Sequence, residues 1–149
     1  MTATFRILPA RSLVYCRYEG VITLPVAEKL YNDYIQHPDY RPGQLHLVDL
    51  SAASGWSAEF MQFMRLQAKN AGALGLEAGE VLMVYLAPTP MAHEIAETIR
   101  RTWAAIEGAV PIIVEREDEA LVVLGQPEAS IEELLSTAPA PEQARQVLA

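Results

Sequence analysis

A continuous apolar segment near the middle of the chain places the strongest constraint on its fold. Residues 81–87 read VLMVYLA and contain no charged residue, glycine or proline. A strand with one solvated face alternates apolar and polar side chains, so an unbroken run indicates a strand that is covered on both faces. The run is also far shorter than the roughly 18 residues that are needed to span a bilayer, so we expect no membrane span.

Strand-like and helix-like segments alternate on either side of this run. Apolar residues at helical spacing separate the later strands, a pattern that predicts right-handed crossovers and a mainly parallel sheet with helices packed on it. The first two strands are joined by residues 9–12, too few for a helix, and form an antiparallel hairpin at or near an edge. The fold class is therefore α/β, in the order ββαβαβαβα. The other predicted strands are residues 5–8, 13–18, 44–50 and 110–114.

Polar residues mark the beginnings of the predicted helices. Thr23 precedes the first helix, Ser57 the second, and Ser130 with Glu133 forms a capping box for a short helix that ends near Leu135. The second helix carries more apolar surface than one packing face requires, which predicts a homodimer. Its apolar arc comprises Phe60, Met61, Phe63, Met64, Ala68 and Ala71, with Leu66 outside that arc.

Composition narrows the functional class. The chain has 149 residues, which suits one domain, and we place that domain at 1–126 with a C-terminal appendix at 127–149 that holds a short helix and a loosely held tail. A net charge of −8 argues against nucleic-acid binding and anionic membrane surfaces. Cys16 is the only cysteine and the three histidines are scattered, so we predict no disulfide, no metal site and no cofactor. The beginning of the chain lacks the pattern of a signal peptide, and we expect a cytoplasmic protein.

A candidate ligand crevice lies beyond the carboxyl ends of the predicted parallel strands, where open α/β sheets bind ligands. Hydroxyl, carboxylate, imidazole and indole groups there suit a small polar or amphipathic molecule. Each of them also has a structural alternative, such as fixing a loop, capping a helix or covering the core edge. The candidate ligand-binding residues are Asp49, Ser51, Ser54, Trp56, Thr89 and His93.

Residues 4–126 resemble the SpoIIAA-like branch of the STAS superfamily, the fold of anti-sigma-factor antagonists. The resemblance rests on residues 19–23 (EGVIT) after the hairpin, residues 37–43 before the third strand, and Asp49-Leu50-Ser51 at the end of that strand. Residues 118–125 are similar to the closing helix, although Val122 and Val123 stand where an aromatic residue is usual. The resemblance implies a SpoIIAA-like, STAS-type fold and a non-catalytic regulatory role.

The chain departs from that family at its phosphorylation switch. Family members with the switch carry Asp-Ser-Ser-Gly or a close variant at the start of the second helix, whereas residues 52–57 here read AASGWS. Ser54 and, less well, Ser57 are the candidates for phosphorylation. The alternative is that Ser54 turns the chain and Ser57 caps the helix.

The sequence therefore predicts a regulatory or ligand-binding module that acts through a protein partner or through a small apolar or amphipathic ligand. One alternative is a carrier of a lipid-like molecule, with Trp56 and the methionine-rich helix lining its pocket. A second is a small hydrolase or transferase that uses His93 and Asp49. We find no catalytic motif, and Cys16 lies in a hydrophobic strand where a buried, inert thiol is usual.

Overall fold

The computed structural model describes residues 2–137 and 145–148, the last four through their backbone alone. The strands are β1 (Thr2–Leu8), β2 (Leu13–Ile22), β3 (Leu45–Trp56), β4 (Val81–Leu86), β5 (Ala109–Val114) and β6 (Arg145–Leu148). The helices are α1 (Leu24–Ile35), α2 (Phe60–Leu74), α3 (Pro90–Trp103), α4 (Glu117–Val123) and α5 (Ile131–Ser136). A single 3₁₀ turn at Pro9–Arg11 joins β1 to β2. The predicted order ββαβαβαβα is confirmed.

The strands form one mixed sheet in the order β5-β4-β3-β2-β1-β6. Strands β2 to β5 are parallel, and β1 is antiparallel to β2, as the hairpin predicted. Strand β6 pairs antiparallel with β1, which places β1 one strand in from the edge. Pairing with β6 satisfies backbone groups that an edge strand would leave open.

The helices divide between the two faces of the sheet. Helices α1, α2 and α3 each connect two neighbouring parallel strands, and the strands β2, β3, β4 and β5 follow one another across the sheet in one direction. Right-handed connections in one direction keep all three helices on one face. Their buried residues share a core with Cys16, Val48 and Tyr85. Helices α4 and α5 cover the other face, where Leu47 and Val84 lie in a second core. Strand β4 is thus covered on both faces, as its apolar run predicted.

Helix α2 is rotated relative to the sequence prediction. Its buried residues are Phe63, Leu66, Gln67, Asn70 and Leu74, whereas the predicted core residues Phe60 and Met61 are 37% and 48% exposed. The helix contacts both α1 and α3, and this shared packing sets its rotation in place of its own hydropathy. The predicted cap was also wrong: the N-cap is Glu59, and Ser57 instead donates its backbone N–H to the Ile22 carbonyl (2.9 Å).

The C-terminal segment contributes to the same layers. Ile131 and Leu134 of α5 are buried in one cluster with Leu8 and Leu121. The boundary after residue 126 stays a prediction, and residues 138–144 of the predicted loose tail lie outside the described residues. In the part of the chain that the structure describes, no helix combines the length and apolar character that crossing a bilayer requires.

Candidate functional site

The predicted crevice residues do not converge on one site. Strand β3 continues beyond Asp49 to Trp56, and its pairing with β2 shifts register twice between them. Asp49 lies on the face of α4 and α5, because it bonds to Tyr15 of the core on that face, while Trp56 packs on the face of α1 to α3. His93 is on α3, so the His93 and Asp49 pair proposed for a hydrolase or transferase is separated by the sheet.

Asp49 is held in a buried hydrogen-bond cluster. Its Oδ2 atom accepts hydrogen bonds from the Tyr15 hydroxyl (2.5 Å) and from Arg17 Nη1 (3.2 Å). Its Oδ1 atom accepts from the Ser51 backbone N–H (2.9 Å) and from the Ser51 hydroxyl. Burial and the bond to Asp49 raise the pKa of the Tyr15 phenol, which therefore stays protonated as the donor. This carboxylate is fully engaged in joining β2 to β3.

Asp49 and Ser51 also border an open groove of about 830 Å³ on this face. Its walls carry both signs of charge, including Arg17, Arg116, Glu115 and Glu132. A groove with neighbouring opposite charges does not favour one charge class of ligand.

The remaining predicted site residues are at the surface or serve as caps. The Thr89 hydroxyl accepts the Ala92 backbone N–H (3.0 Å) and caps α3. His93 is exposed, with its Nε2 atom 3.9 Å from a Glu97 carboxylate oxygen. Ser54 and Ser57 are exposed, and both precede the first residue of α2 along the chain, with Ser54 still inside β3. Phosphorylation of either serine stays a prediction.

The structure contains an interior cavity that the sequence analysis missed. It has a volume of about 50 Å³ and lies between the sheet and helices α1, α2 and α3. Trp56 forms part of its wall and meets Phe63 edge-on, with ring centroids 4.7 Å apart. The side chains that bring polar atoms to the wall are Cys16, Tyr18, Tyr31, Tyr34, His46, Trp56 and Tyr85.

Strand register brings these polar side chains together. Cys16 pairs with Val48, and Val48 pairs with Tyr85, so three neighbouring strands present side chains to one face. His46 lies two residues before Val48 and shares that face. The sequence held a signal for this arrangement, since Cys16 and Tyr18 on one strand, and His46 on the next, stand at positions of one parity among apolar residues.

The cavity is electrically neutral near pH 7. Burial lowers the pKa of the His46 imidazole to about 4 and raises the pKa of the Cys16 thiol to about 12. Burial also raises the pKa values of the Tyr18, Tyr31 and Tyr85 phenols. None of the described residues that line the cavity is Asp, Glu, Lys or Arg.

The hydrogen bonding of His46 is incomplete. The residue is only 7% exposed, and its Nε2 atom has no hydrogen-bond partner among the described residues. A buried polar atom without a partner costs about 1–3 kcal/mol, so a molecule that pairs with it gains binding free energy. Cys16 lines the same cavity, but no hydrogen bond joins it to His46 in the described part of the chain.

The site shows little of the chemistry of catalysis. A thiol whose pKa is raised to about 12 is a poor nucleophile at neutral pH, because the thiolate is the reactive form. Within residues 2–137, no group of three or more His, Cys, Asp and Glu side chains is placed to hold a metal ion. The described lining of the cavity is instead mainly apolar and aromatic, with a few polar side chains among the residues.

The comparisons with known proteins give one relevant likeness. No protein-family model matches the chain, and no curated protein matches its sequence. Among solved structures, the chain is similar to the anti-sigma factor antagonist SpoIIAA in its unphosphorylated form, with 12% sequence identity and a TM-score of 0.46. The match covers 80% of this chain and 93% of that one. The match concerns the fold alone, and similarity at this level assigns no function.

Proposed function

We propose that this chain is a non-catalytic regulatory module that binds a small, mainly apolar molecule in the interior cavity. The observation that carries the proposal is the buried His46 side chain, which lines a neutral, aromatic-walled cavity and whose Nε2 atom has no partner among the described residues. An apolar body gains free energy from burial there, and the few inward polar atoms orient it. The regulatory part of the proposal follows the resemblance to the SpoIIAA-like branch, and a cytoplasmic location stays an expectation from the sequence.

Trp56 connects the cavity to the surface. Its side chain lines the interior cavity and also an outer groove of about 530 Å³, together with Gly55, Met91 and His93. A molecule that fills the cavity therefore presses on a residue that a protein partner can contact. This arrangement supports a module whose surface responds to its ligand.

The test uses small apolar probes on the whole chain. Xenon and isobutane are expected to produce saturable shifts in the NMR signals of residues that line the cavity, including the Trp56 indole N–H, and to raise the melting temperature. A cavity-filling variant, Cys16→Leu, is expected to lose both effects. Val84→Leu is the matched control, because Val84 is equally buried but lies in the core on the other face of the sheet.

The proposal is wrong if neither probe shifts the signals of cavity residues, or if Cys16→Leu responds as the unaltered chain does.

Self-association remains part of the proposal through the exposed beginning of α2. Phe60 and Met61 present apolar surface that the described residues leave uncovered. Light scattering after size exclusion at tens of micromolar is expected to give twice the chain mass of 16.4 kDa, and Met61→Glu is expected to give the single-chain mass. Val122→Glu, at a more exposed valine on α4, is the control, and a single-chain mass for the unaltered protein removes the dimer.

A further inference from the structure

We propose that the interior cavity selects a small uncharged hydroxyl compound, and that His46 binds its hydroxyl group. This inference rests on the proposed function and specifies the chemistry of its ligand. It follows from the hydrogen-bonding capacity of His46 and Tyr85, from the neutrality of the wall and from the size of the cavity.

The first argument is that a hydroxyl group matches the hydrogen-bonding capacity of the His46 Nε2 atom. A neutral imidazole carries one N–H donor and one acceptor nitrogen, so Nε2 is either a donor or an acceptor. A hydroxyl group both donates and accepts, and it satisfies Nε2 in either form. A wholly apolar molecule in the cavity would leave this buried atom without a partner.

Tyr85 supplies a second polar group in the same wall. Its hydroxyl oxygen accepts a hydrogen bond from the indole N–H of Trp103 (2.9 Å), and this bond leaves the phenolic proton to be donated. Among the described residues, this proton is donated to the Met83 sulfur at 4.0 Å, which is a weak acceptor. The Tyr85 O–H therefore has capacity to donate to a ligand oxygen.

The second argument concerns charge. The described residues of the wall include no cation, and burial holds the His46 imidazole neutral near pH 7. A carboxylate that entered the cavity would lose its hydration without gaining a counter-charge, at a cost of several kcal/mol. The same holds for an ammonium group, because no Asp or Glu among the described residues lines the wall. The cavity therefore excludes fatty-acid anions and amines and accepts neutral molecules.

The third argument is size. A volume of about 50 Å³ exceeds the roughly 10–15 Å³ that a cavity needs in order to hold one water molecule, so it has room for a few non-hydrogen atoms. The buried rings of Tyr34 and Phe63 line it and limit its expansion toward α1 and α2. A short branched alcohol has the appropriate shape.

The experiment compares three molecules with the same number of non-hydrogen atoms: 2-propanol, isobutane and acetate. NMR titration of the unaltered chain is expected to show saturable binding of 2-propanol at the cavity residues, a change in the His46 Nε2 chemical shift, and no binding of acetate. In His46→Phe, 2-propanol is expected to bind about tenfold more weakly, the loss of roughly one hydrogen bond, while isobutane binding is retained.

The outcomes separate this inference from the proposed function. If 2-propanol binds without moving the His46 nitrogen signal, or if acetate binds equally well, the hydroxyl inference is overturned and the ligand cavity stands. If 2-propanol and isobutane both fail to perturb cavity residues, the proposed function itself is overturned. These readings come from the unaltered chain, so they hold even if His46→Phe does not fold.

Discussion

The Tyr15 hydroxyl donates a 2.5 Å hydrogen bond to Asp49 Oδ2, which joins the second strand to the third in the middle of the sheet. Both side chains are buried, and Asp49 also accepts from Arg17 and Ser51. The cluster lies on the face of the sheet opposite the interior cavity, so its contribution is to stability and not to the ligand site.

Removing the Tyr15 hydroxyl is expected to destabilise the fold without affecting the cavity. Tyr15→Phe takes one donor from a buried carboxylate, which costs about 1–3 kcal/mol of unfolding free energy. Chemical denaturation measures this loss, and NMR titration with xenon is expected to give unchanged binding. A variant as stable as the unaltered chain would show that Arg17 and Ser51 suffice to hold Asp49.

The free energy of unfolding is expected to decrease as the pH is lowered, because of His46. The pKa of this imidazole is lowered from 6.5 to about 4 in the folded chain. Above pH 6.5 the imidazole is neutral in both states, whereas at lower pH the unfolded chain binds a proton that the folded chain does not. The unfolding free energy therefore falls between pH 6.5 and 4, by on the order of 3 kcal/mol.

The comparison of His46→Phe with the unaltered chain isolates this contribution from the titration of carboxylates. The groups that share the cavity with His46 are uncharged over this range, since burial raises their pKa values: Cys16, Tyr18, Tyr31, Tyr34 and Tyr85. Denaturation at several pH values is expected to show that the free energy of unfolding depends more steeply on pH in the unaltered chain than in His46→Phe. Parallel curves would show that His46 is accessible to protons in the folded state.

Replacing Gln67 by an apolar residue is expected to stabilise the protein. Gln67 is 0% exposed, and neither polar atom of its side chain has a hydrogen-bond partner among the described residues. Gln67→Met has a similar volume and removes this unsatisfied amide, with an expected gain of about 1–3 kcal/mol. Asn70→Leu on the same helix is the control, because the Asn70 amide donates to the Leu66 carbonyl (3.0 Å) and no such gain is expected. Equal effects of the two variants in thermal unfolding would contradict the assignment.

Gly75 is expected to tolerate no side chain. It ends α2 at φ 92°, and a Cβ atom there would lie 2.4 Å from the Gly43 backbone nitrogen. Gly125 also has a positive φ (71°) but has open space around its Cβ position. Gly125→Ala is therefore expected to lower the free energy of unfolding by about 1–2 kcal/mol, the cost of holding an alanine at positive φ. Gly75→Ala is expected to lower it distinctly more, because the backbone must also move. Comparable melting temperatures for the two variants would falsify this explanation.

Local features of the fold followed directly from the sequence. The hydroxyls of Thr23, Thr89 and Ser130 each accept a backbone N–H from the first turn of the helix that follows. Hydroxyl residues directly before a helix are expected to cap it in this way. The apolar run of β4 is covered on both faces. These features depend on a few residues that are adjacent in sequence, so they can be predicted without knowing which distant residues they contact.

The candidate site could not be predicted in the same way. Asp49 and Trp56 both follow the apolar part of β3, and sequence reasoning placed them on one rim because it ended that strand too early. Pairing of β2 with β3 extends as far as Ile22 and Trp56, and this added length of strand separates the two side chains between opposite faces. The length of a strand at its ends depends on its neighbour, which a local pattern does not contain.

By itself, the sequence determined strands β1 to β5 and helices α1 to α5, where most of these helices begin, and that the sheet is mainly parallel; strand β6 was not predicted. Only the tertiary structure decided that Cys16, His46 and Tyr85 surround one cavity, and that α2 presents Gln67 to the core and Met61 to solvent. The physical reason is that periodicity fixes the face on which a side chain lies, whereas strand register and the packing of three helices fix its neighbours.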